Sequence, residues 1–362
     1  MSDADDPKTV PLGREGSLRG EAAPLRDGDA KAACMLSIVV PVYNESTSLG
    51  RLHAALIEMA HKLRAAHSLA CEVVYVDDGS WDDTFAIARA LPAVALDIQV
   101  VSLSRNFGKE AALLAGLDYA RFGAVMFIDG DGQHQPALIE TLVRRWLDDG
   151  YDVVYAAKAG PANESVLRRF AAKIFYLMLN WGAYNKIPED AGDFRLLSPR
   201  AADALRQLRE RNRFFKGLAS WIGFRPLRIE YEPEPRAEGS SPRNMRTLIG
   251  LSINGLTSFS VAPLRLASLL GLLLAMIALG YGGKIVYETL VHGESVPGYP
   301  SVFVGILVLG AVQLVMLGIV GEYIGKVLSE IKARPVYFVA VRHVKMREEV
   351  NRSETDDRTV AG

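Results

Sequence analysis

Two long uncharged apolar runs near the C-terminal end set the strongest limit on what this chain can fold into. Leu266 to Gly283 carries no charge, and the apolar character resumes past Lys284 to Tyr287. Ser295 to Gly321 is longer, with an apolar core starting near Val302. Crossing a bilayer takes about 20 apolar residues at about 1.5 Å of rise each. The second run meets that length. The first meets it if the Lys284 ammonium reaches back to the headgroups. Two core helices of a soluble protein are the competing reading. Spans at about 266–287 and 302–325 are expected. Arg243, Arg246 and Arg265 precede the first span, and Lys326, Lys332, Arg334, Arg342, Lys345 and Arg347 follow the second. The connection, about 288–301, has no Lys or Arg. Positive charge marks the cytoplasmic side, so a multi-pass protein of the cytoplasmic (inner) membrane is expected, with both termini in the cytoplasm.

The rest of the chain alternates strand and helix. Leu36 to Val42 is a β-rich run ending in Tyr43-Asn44-Glu45, followed by helical patterning over about 47–66. Val73 to Val76 ends in Asp77-Asp78-Gly79-Ser80, and a helix is predicted over about 83–91, with Asp82 and Asp83 suited to its N-terminus. Ile98 to Leu103 leads into Ser104-Arg105-Asn106-Phe107-Gly108-Lys109-Glu110 and a helix to about 121. A fourth apolar run, Ala124 to Ile128, ends in Asp129-Gly130-Asp131-Gly132-Gln133-His134. Four β-α repeats imply a mostly parallel sheet with helices on both faces. Three of the four strand ends finish in acids or amides, and these should gather on one sheet edge, where α/β folds bind ligands.

Two carboxylates one residue apart at a strand end suit Mg²⁺ or Mn²⁺, completed by substrate phosphates. Alone, Asp-x-Asp is a weak signal, since the same tripeptide is often a solvated turn. An Asp pair after another strand can hydrogen-bond a ribose or a base. The chain has no Gly-x-Gly-x-x-Gly after the first strand and no Gly-x-x-x-x-Gly-Lys-Ser/Thr, which disfavours dinucleotide dehydrogenases and P-loop enzymes. No Cys/His group has zinc spacing. The net charge of −1 gives no reason to invoke nucleic acid. Cys34 and Cys71 make no disulfide framework. Residues 1–34 lack an apolar core for a signal peptide and read as a disordered tail.

The strings Ser37–Glu45, Val76–Ser80, Leu103–Glu110, Asp129–Gln133 and Gly192-Asp193-Phe194-Arg195-Leu196-Leu197 resemble family 2 glycosyltransferases. Within these, the chain is similar to the polyprenyl-phosphate glycosyltransferases, relatives of dolichol-phosphate mannose synthase and of bacterial undecaprenyl-phosphate glucosyltransferases. The resemblance covers about 35–340. It implies an α/β GT-A (Rossmann-like) catalytic domain over 35–235, a juxtamembrane segment at 236–264, two C-terminal transmembrane helices within 265–329 and a cytoplasmic tail at 330–362. It also implies inverting transfer of a sugar from a nucleotide sugar, UDP-glucose as first expectation, to polyprenyl phosphate. Asp129, Asp131 and Gln133 become the expected Mg²⁺ or Mn²⁺ ligands. Pro41, Tyr43, Asn44, Glu45, Asp77, Asp78 and Gly130 become donor-site residues. Asp131 and Asp193 take catalytic roles, Asp193 either as base or in orienting the acceptor. Arg195, Arg213 and Lys216 become ligands of the acceptor phosphate.

Leu167 to Leu179, cationic at one end and aromatic along its length, reads as an interfacial helix, although docking on the sheet fits the same pattern. Gly305, Gly310, Gly318 and Gly321 prompt the expectation of a homo-oligomer through the second span. The chain departs from the family at Pro242 and Arg243, where Lys and an aromatic are common, at Asn254, where an acid is common, and over Gln133-His134-Gln135-Pro136 after the metal motif, where relatives often carry an Asp or Pro. These departures bear on the acceptor more than on the donor. A processive polysaccharide synthase would add Gln-x-x-Arg-Trp, but Leu142 stands where Gln is required before Arg145-Trp146. A non-catalytic membrane scaffold is the reading from another class, and the intact carboxylates oppose it.

Overall fold

The computed structural model describes residues 9–10, 35–130, 136–158, 173, 176–177, 180, 191–208, 210–211, 215–231, 262–292 and 298–347. The elements in chain order are β1 (Thr9–Val10), β2 (Met35–Val42), α1 (Leu49–His67), β3 (Ala70–Asp77), α2 (Thr84–Ala90), β4 (Asp97–Leu103), α3 (Lys109–Tyr119), β5 (Ala124–Phe127) and α4 (Pro136–Leu147). Then come β6 (Val153–Lys158), β7 (Ala191–Leu197), α5 (Pro199–Gln207), α6 (Phe215–Trp221), β8 (Pro226–Tyr231), α7 (Ala262–His292), α8 (Tyr299–Ile331) and β9 (Val339–Lys345).

The strands form one sheet in the order β1-β8-β6-β7-β5-β2-β3-β4-β9. The expected parallel core is there: β5, β2, β3 and β4 are parallel neighbours, and β6 pairs parallel with β8. Val and Ile alternate faces along β2, so both faces are apolar and both are covered. Ile38 and Val40 pack with α1 and α4 on one face, whereas Val39 packs with α3, α5 and α6 on the other. Leu142 and Trp146 of α4 are buried in the first layer, so Trp146 serves packing, while Arg145 pairs with Asp149 at 3.0 Å.

Two features lie beyond the β-α repeat. Strand β7 runs antiparallel between β5 and β6. Strand β9 pairs antiparallel with β4 along its length, from Ile98↔Lys345 to Leu103↔Val339. This corrects the expected tail over 330–362: residues 339–345 are the edge strand of the catalytic sheet. Arg342 donates to Gln99 Oε1 at 2.7 Å, Lys345 to the Leu91 carbonyl at 3.0 Å, and the Arg347 amide to Asp97 at 2.9 Å. The expectation of a wholly disordered 1–34 is likewise amended at Thr9 and Val10, which pair with Ile229 and Arg228.

Helices α7 and α8 are long and apolar enough to cross a membrane, over Pro263–Tyr287 and Val304–Ile331. Most of their large side chains are exposed, unlike those of a soluble core helix. They touch where Gly271 faces Met316. At the end of α8, Glu330 accepts from the Arg211 amide at 2.8 Å, and the Arg211 side chain donates to the Arg334 carbonyl at 2.8 Å. The sheet-bearing part of the chain is thereby tied to the C-terminal end of α8. Most of the expected interfacial helix over 167–179 lies outside the described residues.

Candidate active site

The sheet order reverses between β2 and β5, and the crevice beyond their C-terminal ends is the natural ligand position in such a fold. Pro41 to Glu45 leave β2 there. Asn44 adopts a positive φ of 55°, which Asn tolerates better than most residues. Its amide donates to Ser80 Oγ at 3.0 Å, and its Oδ1 accepts from the Trp81 amide at 3.2 Å. The Glu45 amide donates to Thr84 Oγ1 at 2.8 Å, and its carboxylate accepts from Ser48 at 2.7 Å. Tyr43 and Trp81 stay exposed on this edge.

Asp77 and Asp78 end β3 and are nearly inaccessible. Asp77 accepts from the Ser80 amide at 2.9 Å and from Ser102 Oγ at 2.7 Å. Asp78 accepts from the Phe107 amide at 2.7 Å and the Gly108 amide at 2.9 Å, one on each oxygen. Burial pushes the Asp78 carboxyl above its ordinary value, against those two hydrogen bonds. Gly79 makes the approach feasible: its φ is +68°, and a Cβ there would collide with the Arg105 backbone.

The central cluster follows from strand register. Val125, Met126 and Phe127 pair with Leu197, Leu196 and Arg195. Continued two residues, that antiparallel register sets Asp129 opposite Asp193. Lys109, the first residue of α3, bridges them, with Nζ 2.5 Å from Asp129 Oδ1 and 2.5 Å from Asp193 Oδ2. Lys216 Nζ lies 3.7 Å from the other Asp193 oxygen. Burial alone would raise the Asp193 carboxyl, but Lys216, Lys109 and Arg195 outweigh it and hold it down to about 2. Burial likewise opposes charge on Lys109, yet Asp129 and Asp193 raise it above the usual lysine value. Lys216 is lowered, by burial and then by the neighbouring cations Arg195 and Lys109, against the pull of Asp193.

Arg195 is 2% exposed. One terminal nitrogen donates to the Gly192 carbonyl at 2.8 Å, and its guanidinium lies 5.4 Å from the Phe215 ring centre. Its Nε is buried without a partner among the described residues. Burial lowers Arg195, opposed by Asp193 and Glu110. Glu110 accepts from the Phe215 amide at 2.7 Å.

Of the residues expected from sequence, Pro41, Tyr43, Asn44, Glu45, Asp77, Asp78, Asp129, Gly130, Asp193, Arg195 and Lys216 are described, and all come from elements that meet at this edge. Gly130 is buried, and a Cβ on it would meet the Pro41 carbonyl and Val42 at 3.0 Å. Asp131, Gln133 and Arg213 lie outside the described residues. Sequence reasoning assigned no role to Lys109, Glu110, Ser80 or Ser102. The one signal for the first two was their place in the string closing the third strand.

Among the described residues, no three His, Cys, Asp or Glu side chains group to hold a metal. The chemistry of the edge nevertheless fits a divalent cation. Asp129 offers a partly exposed hard-oxygen donor, and it already faces a positive charge, the Lys109 ammonium.

Residues 37–206 match the family model Glycosyl transferase family 2, and residues 262–327 match the GtrB C-terminal hairpin. An uncharacterized glycosyltransferase of Synechocystis sp. (strain ATCC 27184 / PCC 6803 / Kazusa) is 42% identical over 305 residues, 84% of this chain and 94% of that protein. An SfII prophage-derived bactoprenol glucosyl transferase of Shigella flexneri is 39% identical over 308 residues, 85% of this chain and 98% of that protein. Glucosyl-3-phosphoglycerate synthase from Mycobacterium tuberculosis, solved with Mn²⁺ and UDP, aligns with a TM-score of 0.42 at 22% identity over 63% of this chain and 79% of that one.

Proposed function

The chain belongs to glycosyl transferase family 2, and from that premise we propose that it moves glucose from UDP-glucose to a polyprenyl phosphate, with inversion, at the cytoplasmic face of a membrane. The observation that carries this reading is the crevice itself. Carboxylates suited to a cation-bound diphosphate lie on one side, and the buried Arg195 and the half-buried Lys216 lie on the other, with Asp129 and Asp193 joined through Lys109. The similarity to a bactoprenol glucosyl transferase supports the choice of sugar and lipid.

The acceptor needs little activation, because a phosphate monoester with a second pKa near 6 is largely dianionic at pH 7. Asp193, held down to about 2, has little tendency to take a proton. Its role is to orient: it fixes the Lys109 and Lys216 ammonium groups and neutralises Arg195 until phosphate oxygens replace it. Arg195 brings a planar fork suited to phosphate, with Nε still to be satisfied. Arg213 would join from the neighbouring segment. Asp77, Asp78 and the Pro41–Glu45 turn hold the nucleoside, with the Gly130 backbone beneath. Asp129, Asp131 and Gln133 would hold Mg²⁺ or Mn²⁺, which when bound supplies Lewis-acid stabilisation of the leaving diphosphate.

The membrane arrangement supports the same reading. Strand β9 begins shortly after α8 ends and lies in the catalytic sheet, so the outgoing end of α8 and the catalytic domain share one side. A two-span hairpin in the cytoplasmic membrane with a cytoplasmic catalytic domain satisfies this and the charge bias. Gly305, Gly310, Gly318 and Gly321 have open space where a Cβ would stand, which supports a homo-oligomer packed along α8. Crosslinking in native-like bilayers that yields only monomer would end that part.

The test is a donor panel. Purified full-length protein receives Mn²⁺ or Mg²⁺, undecaprenyl phosphate and each nucleotide sugar in turn, with Asp131→Ala as control. Glucose-labelled lipid from UDP-glucose alone, lost in the control, is the expected result. Labelled lipid from another donor corrects the sugar, and none from any donor overturns the reading.

A further inference from the structure

Glu110 follows Lys109 in sequence, but its contacts lie on the other side of the crevice. Lys109 joins Asp129 to Asp193. Glu110 reaches the first residue of α6, where it accepts from the Phe215 amide at 2.7 Å. Phe215 is 1% exposed and fits edge-on against Phe127 of β5, ring centres 4.5 Å apart at 63°. The Arg195 guanidinium lies over the same ring at 5.4 Å. The next residue, Lys216, sets its ammonium 3.7 Å from Asp193. The one hydrogen bond that Glu110 accepts thus fixes Phe215, which lies under one cation and directly precedes the other in the chain. Such a bond to a carboxylate is among the stronger neutral-donor bonds.

We propose that Glu110 is a positioning residue for the acceptor: through the Phe215 amide it sets where Arg195 and Lys216 present their donors to the lipid phosphate. The inference rests on the reading of the crevice given above. It explains why adjacent residues at the start of α3 face opposite ways. Lys109 joins Asp129, on the donor side, to Asp193, on the acceptor side, and Glu110 aligns the acceptor-side cations, so α3 is the shared reference for both substrates. The burial that raises the Glu110 carboxyl, reinforced by Asp193 and opposed by the Phe215 hydrogen bond, Lys109 and Arg195, fits a group held for its geometry. The contact Glu110 makes is one that an amide oxygen can also make, which separates geometry from charge.

Steady-state kinetics of the full-length enzyme with UDP-glucose and undecaprenyl phosphate test this. Glu110→Ala is expected to raise the KM for undecaprenyl phosphate at least about 10-fold, the loss of one hydrogen-bonded charged contact, with the KM for UDP-glucose within about twofold. Glu110→Gln, which keeps an acceptor oxygen for the Phe215 amide, is expected to recover most of that loss. The double variant Glu110→Ala/Lys216→Met is expected to raise the acceptor KM by less than the product of the two single effects, because the share of Glu110 that acts through Lys216 is already lost while the share acting through Arg195 remains. Equal rises in both KM values, a Gln variant as poor as the Ala variant, or additive effects would each overturn the inference. If Glu110→Ala does not fold by thermal melting, the Gln variant and its cycle with Lys216→Met decide alone. Wild-type transfer in the same assay tests the underlying reading separately: no wild-type product refutes that reading, whereas normal wild-type transfer with an unshifted acceptor KM in the variants refutes only the role of Glu110.

Discussion

The two sides of the crevice neutralise charge in different ways. On the proposed donor side, Asp77 and Asp78 are met by the backbone amides of Ser80, Phe107 and Gly108 and by the Ser102 hydroxyl. Where the two sides meet, Asp129 faces Lys109, and on the proposed acceptor side Asp193 is met by the ends of Lys109 and Lys216, with Arg195 buried nearby. Backbone donors are fixed by the fold and do not leave when a ligand comes. Lysine ammonium groups are flexible point charges that can exchange one oxygen for another. The Asp77–Asp78 side is therefore preorganised, whereas the lysines on Asp129 and Asp193 sit on internal carboxylates that, under the proposed function, a phosphate would displace.

The comparison is broken most directly at its shared edge. Asp129→Ala is expected to lower turnover at least about 10²-fold, the scale of one lost electrostatic stabiliser, and to weaken Mn²⁺ binding by titration calorimetry. Near-normal turnover would remove Asp129 from the site. Asp193→Asn is expected to cost turnover on a similar scale, about 10²-fold. In the wild type, a carboxyl held down to about 2 stays ionised throughout the working range. The Asp193 contribution to the pH–rate profile should then be flat from about pH 5 to 8 and fall only toward its own value on the acid side. An acidic limb inside that range, with the rate falling as pH drops, that vanishes in Asp193→Asn would make the residue a proton acceptor instead.

The rigid side should fail through backbone rather than charge. Gly79→Ala forces a side chain onto a φ of +68° and into the Arg105 backbone, and should destabilise the fold by about 1–3 kcal/mol, read as a fall in Tm. Asp78→Asn leaves one of two backbone amides facing an NH₂ group, and should raise the UDP-glucose KM about tenfold, equivalent to about 1.4 kcal/mol, with the acceptor KM unchanged. A larger effect on the acceptor would dissolve the distinction between the two sides. The solvent pair Lys62–Glu58 on α1 provides the floor: Lys62→Met should leave Tm unchanged within error.

The parallel core was legible because its strands are continuous apolar runs, and the strand ends were legible because Asp and Asn interrupt those runs. Asp129 and Asp193 were both found, each from its own local string. Their adjacency was not legible, because it depends on β7 running antiparallel beside β5, a register that no local pattern encodes. Lys109 and Asp193 are 84 residues apart in sequence, and only folding gives the lysine its two partners. Strand β9 was missed for a different reason. Arg342 and Lys345 look like charges flanking a membrane span, and they do follow a long apolar helix, but their donors go to Gln99 and the Leu91 carbonyl inside the sheet edge. A charged side chain on an edge strand and one near a headgroup look alike in sequence.

That edge strand also sets a schedule. The bond between Arg342 and Gln99 closes across 243 residues, and both apolar helices are synthesised in between. Until the ribosome has passed Lys345, the outer side of β4 is an unpaired template for any extended peptide nearby. The sheet of this glycosyltransferase is therefore finished last, after both long apolar helices exist. A nascent chain arrested before β9 would carry its parallel core strands with an open edge, so completion of the enzyme waits on whatever its two apolar helices do first.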